Sequence, residues 1–156
     1  MKQKGSVLVE TLIALGAAVV IIAAITGMVI SALNNAESAR SQDLAGQYAQ
    51  EGMEVMRNMA RSNWQKFQSY NGQNCLAQGS SDPVPLLGAN GCDPNIGVFK
   101  REIDVDTAVN QADCLDSSKV TIIVSWTDTK CSRANAYCHN VELQSCISDI
   151  GVVPSP

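Results

Sequence analysis

Six cysteines and a single histidine carry most of the side-chain chemistry on offer in this 156-residue chain. Cys75, Cys92, Cys114, Cys131, Cys138 and Cys146 are spread without the CxxC spacing of zinc or redox sites. Six cysteines, all within residues 75–146, point instead to structural bridges in an oxidising compartment. His139 is the lone histidine, so any Ser-His-Asp arrangement would have to use it. It opens a strand-like segment beside Cys138, where an exposed structural role is the simpler reading. A Cys-His nucleophile is opposed by the bridging of the cysteines. Phosphate-binding glycine motifs are absent. Asp104 and Asp106 begin an Asp-x-Asp calcium pattern, but Ala108 and the missing glycine end it. Asp113 and Asp116 read as solvated loop carboxylates. The expectation is therefore no catalytic residue, no cofactor and no metal; the chain is not read as an enzyme.

Glu10 is the other residue with chemistry to explain. Behind it, residues 11–33 carry no charge. As a helix rising about 1.5 Å per residue, they span roughly 34 Å, enough to cross a bilayer. A carboxylate that must enter lipid costs a few kcal/mol, and a plain anchor would place Leu there. Glu10 therefore rests in the headgroup region, where a first helical turn suits it, or has a cationic partner. Lys2 and Lys4 precede the segment, which predicts a cytoplasmic start and cysteines on the outer side. A secretory signal cleaved after Ala32 is the competing reading. The apolar run is too long for it, and Glu10 interrupts its start.

These residues need elements to position them. Ala45, Ala49, Gly52, Met53, Met56, Ala60, Trp64 and Phe67 recur at helical steps. Gln42, Asp43, Gln47, Glu54, Arg57, Asn58 and Arg61 stand opposite. With no proline before residue 83, the pattern predicts one helix over 7–65. Its Met and Ala stripe would pack on a sheet. Residues 68–97, rich in Gln, Asn, Gly, Ser, Asp and Pro, read as a long loop. Strands are expected at 98–105, 119–126 and 139–147. In the second, Val120, Ile122, Val124 and Trp126 alternate with Thr121, Ile123 and Ser125. Short connections favour an antiparallel meander. The fold class is α+β, a long N-terminal helix on a small antiparallel sheet. A net charge of −4 gives no footprint for nucleic acid.

The start Lys4-Gly5-Ser6-Val7-Leu8-Val9-Glu10, continuing Thr11-Leu12-Ile13-Ala14-Leu15, resembles the processing site of type IV prepilins and type II secretion pseudopilins. The segment Ala49-Gln50-Glu51-Gly52-Met53-Glu54-Val55-Met56-Arg57-Asn58, with Ser62-Asn63-Trp64, resembles minor pilins of the PilV type. The resemblance implies that a prepilin peptidase cuts after Gly5 and methylates the new amino terminus on Ser6. Ser6 departs from the family's usual Phe or Met. It further implies a leader 1–5, a membrane and filament-core helix 6–33, an amphipathic continuation 34–67 and a bridged head 68–156. Partners would be other pilin or pseudopilin subunits, the peptidase, an inner-membrane assembly platform and membrane lipid. The location would be a single-pass inner membrane, then a surface or periplasmic filament. Glu10 would serve assembly. Gly27 stands near the position where many pilins carry a helix-loosening proline. Rival readings are the type II secretion pseudopilin and an anchored extracellular binding module that never polymerises.

Strand order suggests the bridge pairing. Cys131 and Cys138 lie in the connection between the second and third strands. Cys114 precedes the second strand and Cys146 ends the third, so both fall at the hairpin's other end. Cys75 and Cys92 then close the long loop.

Overall fold

A computed structural model describes residues 4–86, 92–108, 110–111, 114–128 and 130–149. The chain divides into two compact units, Met1–Ser41 and Gln42–Pro156. A single helix, α1 (Lys4–Ser62), runs through the first and into the second.

In the first unit the helix carries one apolar surface all round. Every large apolar side chain from Val7 to Leu33 is more than half exposed. Its most apolar 18-residue window has a mean hydropathy of 2.7 and none of it is buried. The helix is therefore long and apolar enough to cross a membrane once. Its two threonines turn their hydroxyls inward on the backbone. Thr11 Oγ1 donates to the Leu8 carbonyl at 3.0 Å, and Thr26 Oγ1 to the Ile22 carbonyl at 2.8 Å. Self-satisfied hydroxyls are compatible with lipid, where water cannot supply the missing bond.

In the second unit α1 becomes one-sided. Ala45, Ala49, Met53, Met56, Met59 and Ala60 are buried, while the opposing Gln42, Asp43, Gln47, Glu54, Arg57, Asn58 and Arg61 are exposed. The helix ends at Ser62, short of the expected residue 65. Asn63 adopts an extended backbone, φ −157° and ψ 94°, and its side chain accepts from Lys66 N at 2.9 Å. That capping bond starts a second helix, α2 (Trp64–Gln68), which turns Phe67 into the core.

The expected loop 68–97 is a partial correction. It contains two strands, β1 (Gly72–Cys75) and β2 (Val84–Pro85). Then follow β3 (Phe99–Asp106), β4 (Asn110–Gln111), β5 (Cys114–Leu115), β6 (Ser118–Trp126) and β7 (His139–Ile147). Five of these form an antiparallel sheet in the order β2-β1-β3-β6-β7, and β4 pairs with β5 separately. The three expected strands are thus its β3-β6-β7 half, extended on the other side by the hairpin drawn from the polar segment. Turn-rich composition hid β1 and β2, whose pairing with each other and with β3 supplies what their own propensity lacks.

Inward residues follow strand alternation: Phe99, Arg101, Ile103 and Val105 on β3, and Val120, Ile122, Val124 and Trp126 on β6. They meet the Met and Ala stripe of α1, with Phe67, Leu76 and Ile96, in one core. Register aligns Phe99, Trp126 and His139 directly across three strands. Phe99 and Trp126 lie 6.0 Å apart, Trp126 stacks on His139 at 5.5 Å, and Tyr48 of α1 meets Phe99 edge-on at 5.3 Å. This row lets a chain with few aromatic residues concentrate them where each covers another.

Candidate functional site

The N-terminal face of α1 is built around Glu10. Glu10 shares an exposed strip with Val9, Ile13, Ala14 and Ala17, as its single acidic group. Among the described residues Glu10 has no hydrogen-bond or ion-pair partner. Ser6 lies four residues earlier in the same helix, one turn away. The Gly5–Ser6 bond falls in the first helical turn, where the N–H groups have no intrahelical partner and the end frays most easily. Met1, Lys2 and Gln3 of the expected leader lie outside the described residues. Gly16 and Gly27 have open space where a Cβ would stand, so this helix presents flat patches to a neighbour.

The six cysteines form three bridges: Cys75–Cys92, Cys114–Cys146 and Cys131–Cys138. These are the pairs that strand order suggests. The first holds β1 to the segment leading into β3. The second joins β5 to the end of β7, and the third closes the connection between β6 and β7.

At that connection a polar cluster has formed. His139 Nε2 and Asp128 Oδ2 are 2.9 Å apart. The other carboxylate oxygen, Oδ1, accepts from Lys130 N at 2.7 Å, and Asp128 N donates to Cys131 Sγ at 3.4 Å. Partial burial works against the Asp128 charge, but the Lys130 N–H, His139 and the Cys131 N–H outweigh it and hold the carboxyl below its ordinary range. Donor atoms of Asp128, Cys131, Cys138 and His139 all lie within 4.8 Å of one another, the arrangement that could hold a metal. Sequence spacing gave no sign of it. The residues come together because β6 and β7 pair Trp126 with His139, folding 127–138 into one connection. The other acidic residues are dispersed. Asp104 is exposed on β3, Asp106 Oδ1 accepts from Ala108 N at 2.9 Å, and Asp116 sits in a turn at φ 54°. Asp113 lies outside the described residues.

The residue missed by sequence reading is Arg101, fully buried on the inner face of β3. Its Nε donates to the Leu76 carbonyl at 3.0 Å, Nη1 to the Tyr48 carbonyl at 2.8 Å and Nη2 to the Ala77 carbonyl at 2.9 Å. Glu51 Oε2 stands 3.5 Å from Nη1. Burial draws the guanidinium below its ordinary pKa, while the Glu51 charge opposes that shift. The only available signal was alternation, which put Arg101 in phase with Phe99, Ile103 and Val105. No family model, curated protein or solved structure matches the chain.

Proposed function

We propose that the chain is a structural subunit of a type IV pilin-like filament, a minor pilin that works by assembly rather than catalysis. The observation that carries this reading is Glu10: a carboxylate with no partner among the described residues, one turn from Ser6, at the head of an uncharged and exposed apolar stretch of α1. Cleavage after Gly5 frees an amine on Ser6. That cation must enter an apolar fibre core, where an unpaired charge is expensive. A Glu10 carboxylate, in resemblance to pilins that of a neighbouring subunit, neutralises it. The chain waits as a single-pass inner-membrane protein with the bridged unit outside. Prepilin peptidase, an assembly platform and other pilin subunits are its partners.

Two experiments test the reading. Intact mass of the membrane-extracted protein should show loss of residues 1–5, with or without one methyl group. A mature chain that keeps Lys2, or begins near Leu33, overturns it. Filaments sheared from cells should contain the wild-type chain and lack Glu10→Ala, because removing the carboxylate leaves a charge uncompensated at about 3–5 kcal/mol. If Glu10→Ala enters fibres equally well, charge pairing is wrong. A type II secretion pseudopilin shares this chemistry and differs in the system served. The anchored binding module takes over if neither form is ever recovered with pilin-like partners, since a plain anchor inserts as well or better without Glu10.

A further inference from the structure

We propose that Asp128, Cys131, Cys138 and His139 form a redox-gated zinc site, taking Zn²⁺ when the Cys131–Cys138 bridge is reduced and losing it when the bridge closes. The argument begins with the donor set. Two thiolates, an imidazole and a carboxylate are the ligands that Zn²⁺ takes in four-coordinate sites. Thiolates disfavour Ca²⁺ and Mg²⁺, which prefer oxygen. With Zn–S near 2.3 Å and Zn–N or Zn–O near 2.0–2.2 Å, ligand atoms around one ion stand about 3–4 Å apart. The four donors here already lie within 4.8 Å of one another, with Nε2 and Oδ2 at 2.9 Å. An ion needs only small side-chain movements to sit among them.

The surroundings also hold the donors in place. Oδ1 of Asp128 is occupied by the Lys130 N–H, which leaves Oδ2 directed at His139. The His139 ring is stacked on Trp126 at 5.5 Å, so its Nε2 keeps one direction. The Asp128 N–H already donates to Cys131 Sγ at 3.4 Å and would strengthen against a thiolate. Cys131 and Cys138 have Cα atoms 5.4 Å apart on one short connection, so opening the bridge leaves both sulfurs nearby.

Bridged sulfurs are neutral and carry no thiolate, so bridge and metal are mutually exclusive. A dithiol reductant opens the switch. It delivers two electrons and two protons to the Cys131 and Cys138 sulfurs and leaves as its own cyclic disulfide. Zn²⁺ then replaces the two thiol protons, which pass to water. Access favours this bridge. Asp128, Cys131, Cys138 and His139 all reach solvent, whereas Cys92 and Cys114, one partner in each other bridge, are only 5% and 3% exposed. By linkage, Zn²⁺ holds the pair reduced against an oxidant, and oxidation expels the ion.

The test uses the full chain in detergent, bridged or treated with a limiting dithiol, with Co²⁺ as optical probe and Zn²⁺ as competitor. Alkylation followed by peptide mapping should find Cys131 and Cys138 freed first. The reduced protein should then bind one Co²⁺ with thiolate-to-metal charge transfer and tetrahedral d–d bands, all abolished by Zn²⁺. The bridged protein should show neither. His139→Ala and Asp128→Ala should each weaken binding by about 10–100-fold or more while the near-ultraviolet circular dichroism of the head is retained. Cys131→Ser/Cys138→Ser should abolish binding, and Cys75→Ser/Cys92→Ser should leave it intact. The proposal is overturned if the reduced protein gives no thiolate–cobalt band, or if the bridged protein binds equally. It is also overturned if the bands survive unchanged in His139→Ala and Asp128→Ala, or if Cys131–Cys138 never opens without the other two bridges.

Discussion

Arg101 is the residue on which three separate segments converge. Its guanidinium donates to carbonyls of α1 and of the turn after β1, while its backbone belongs to β3. A buried charge is tolerable only when well paired, and here each guanidinium nitrogen donates to a fixed carbonyl. Removing it leaves carbonyls stranded and Glu51 without its cation. Arg101→Ala should therefore destabilise the head by about 3–5 kcal/mol. Arg101→Lys should recover less than half of that, because one ammonium cannot span three carbonyls fixed in a planar fork. Urea unfolding in detergent, followed by Trp fluorescence, measures both. A Lys variant as stable as wild type would show that charge, not the fork, is what the site requires.

At the scale of elements, α1 is tuned to this arginine through its glycines. A Cβ on Gly52 would meet Arg101 Cδ at 3.2 Å and Ile122 Cγ2 at 3.4 Å, whereas one on Gly46 would meet nothing within 4 Å. Alanine is worth about 1 kcal/mol over glycine in a helix interior. Gly46→Ala should gain about 0.5–1 kcal/mol by this effect. Gly52→Ala should gain nothing or lose about 1–3 kcal/mol, because Arg101 is held at its far end and cannot retreat. Thermal unfolding of the two variants side by side decides the matter. Equal gains would mean that the helix shifts freely over the sheet.

The bridges follow a second element-level rule. The Cys114–Cys146 bridge spans 32 residues, Cys75–Cys92 spans 17 and Cys131–Cys138 spans 7. Constraint of the unfolded chain grows with the loop closed. Replacing both cysteines by serine should cost about 3–4 kcal/mol for the longest and about 2 kcal/mol for the shortest. Denaturant midpoints of the three double variants should fall in that order. A short bridge that proves the most costly would point to native-state geometry instead of chain entropy.

At the scale of the whole molecule, the two units differ in whether they build a core of their own. The unit Gln42–Pro156 has its own core, a five-stranded sheet and all three bridges. None of the described residues of the first unit is buried. A protein beginning at Gln42 should stay soluble and monomeric, with the same three bridges on non-reducing peptide mapping. The full chain should require detergent. Aggregation or scrambled bridges in the shortened protein would mean that the head depends on the preceding helix to fold.

Local pattern was enough for much of this molecule. An uncharged run of 23 residues is enough to read a helix of membrane length, because a helix pairs its own backbone and that many residues can reach across a bilayer. The Ala and Met stripe and the period-2 alternation of β6 fixed which faces are inside, because each reports geometry within one element. Strand order even pointed to the bridge partners. Three things were decided only by tertiary contacts. β1 and β2 exist because they pair with each other and β1 also pairs with β3, not because their residues favour strands. Arg101 is buried because carbonyls from two other segments surround it. The Asp128, Cys131, Cys138 and His139 donors converge because the β6–β7 register folds their connection on itself. Each depends on atoms distant in the chain, and a one-dimensional pattern carries no distance between residues that it does not itself repeat.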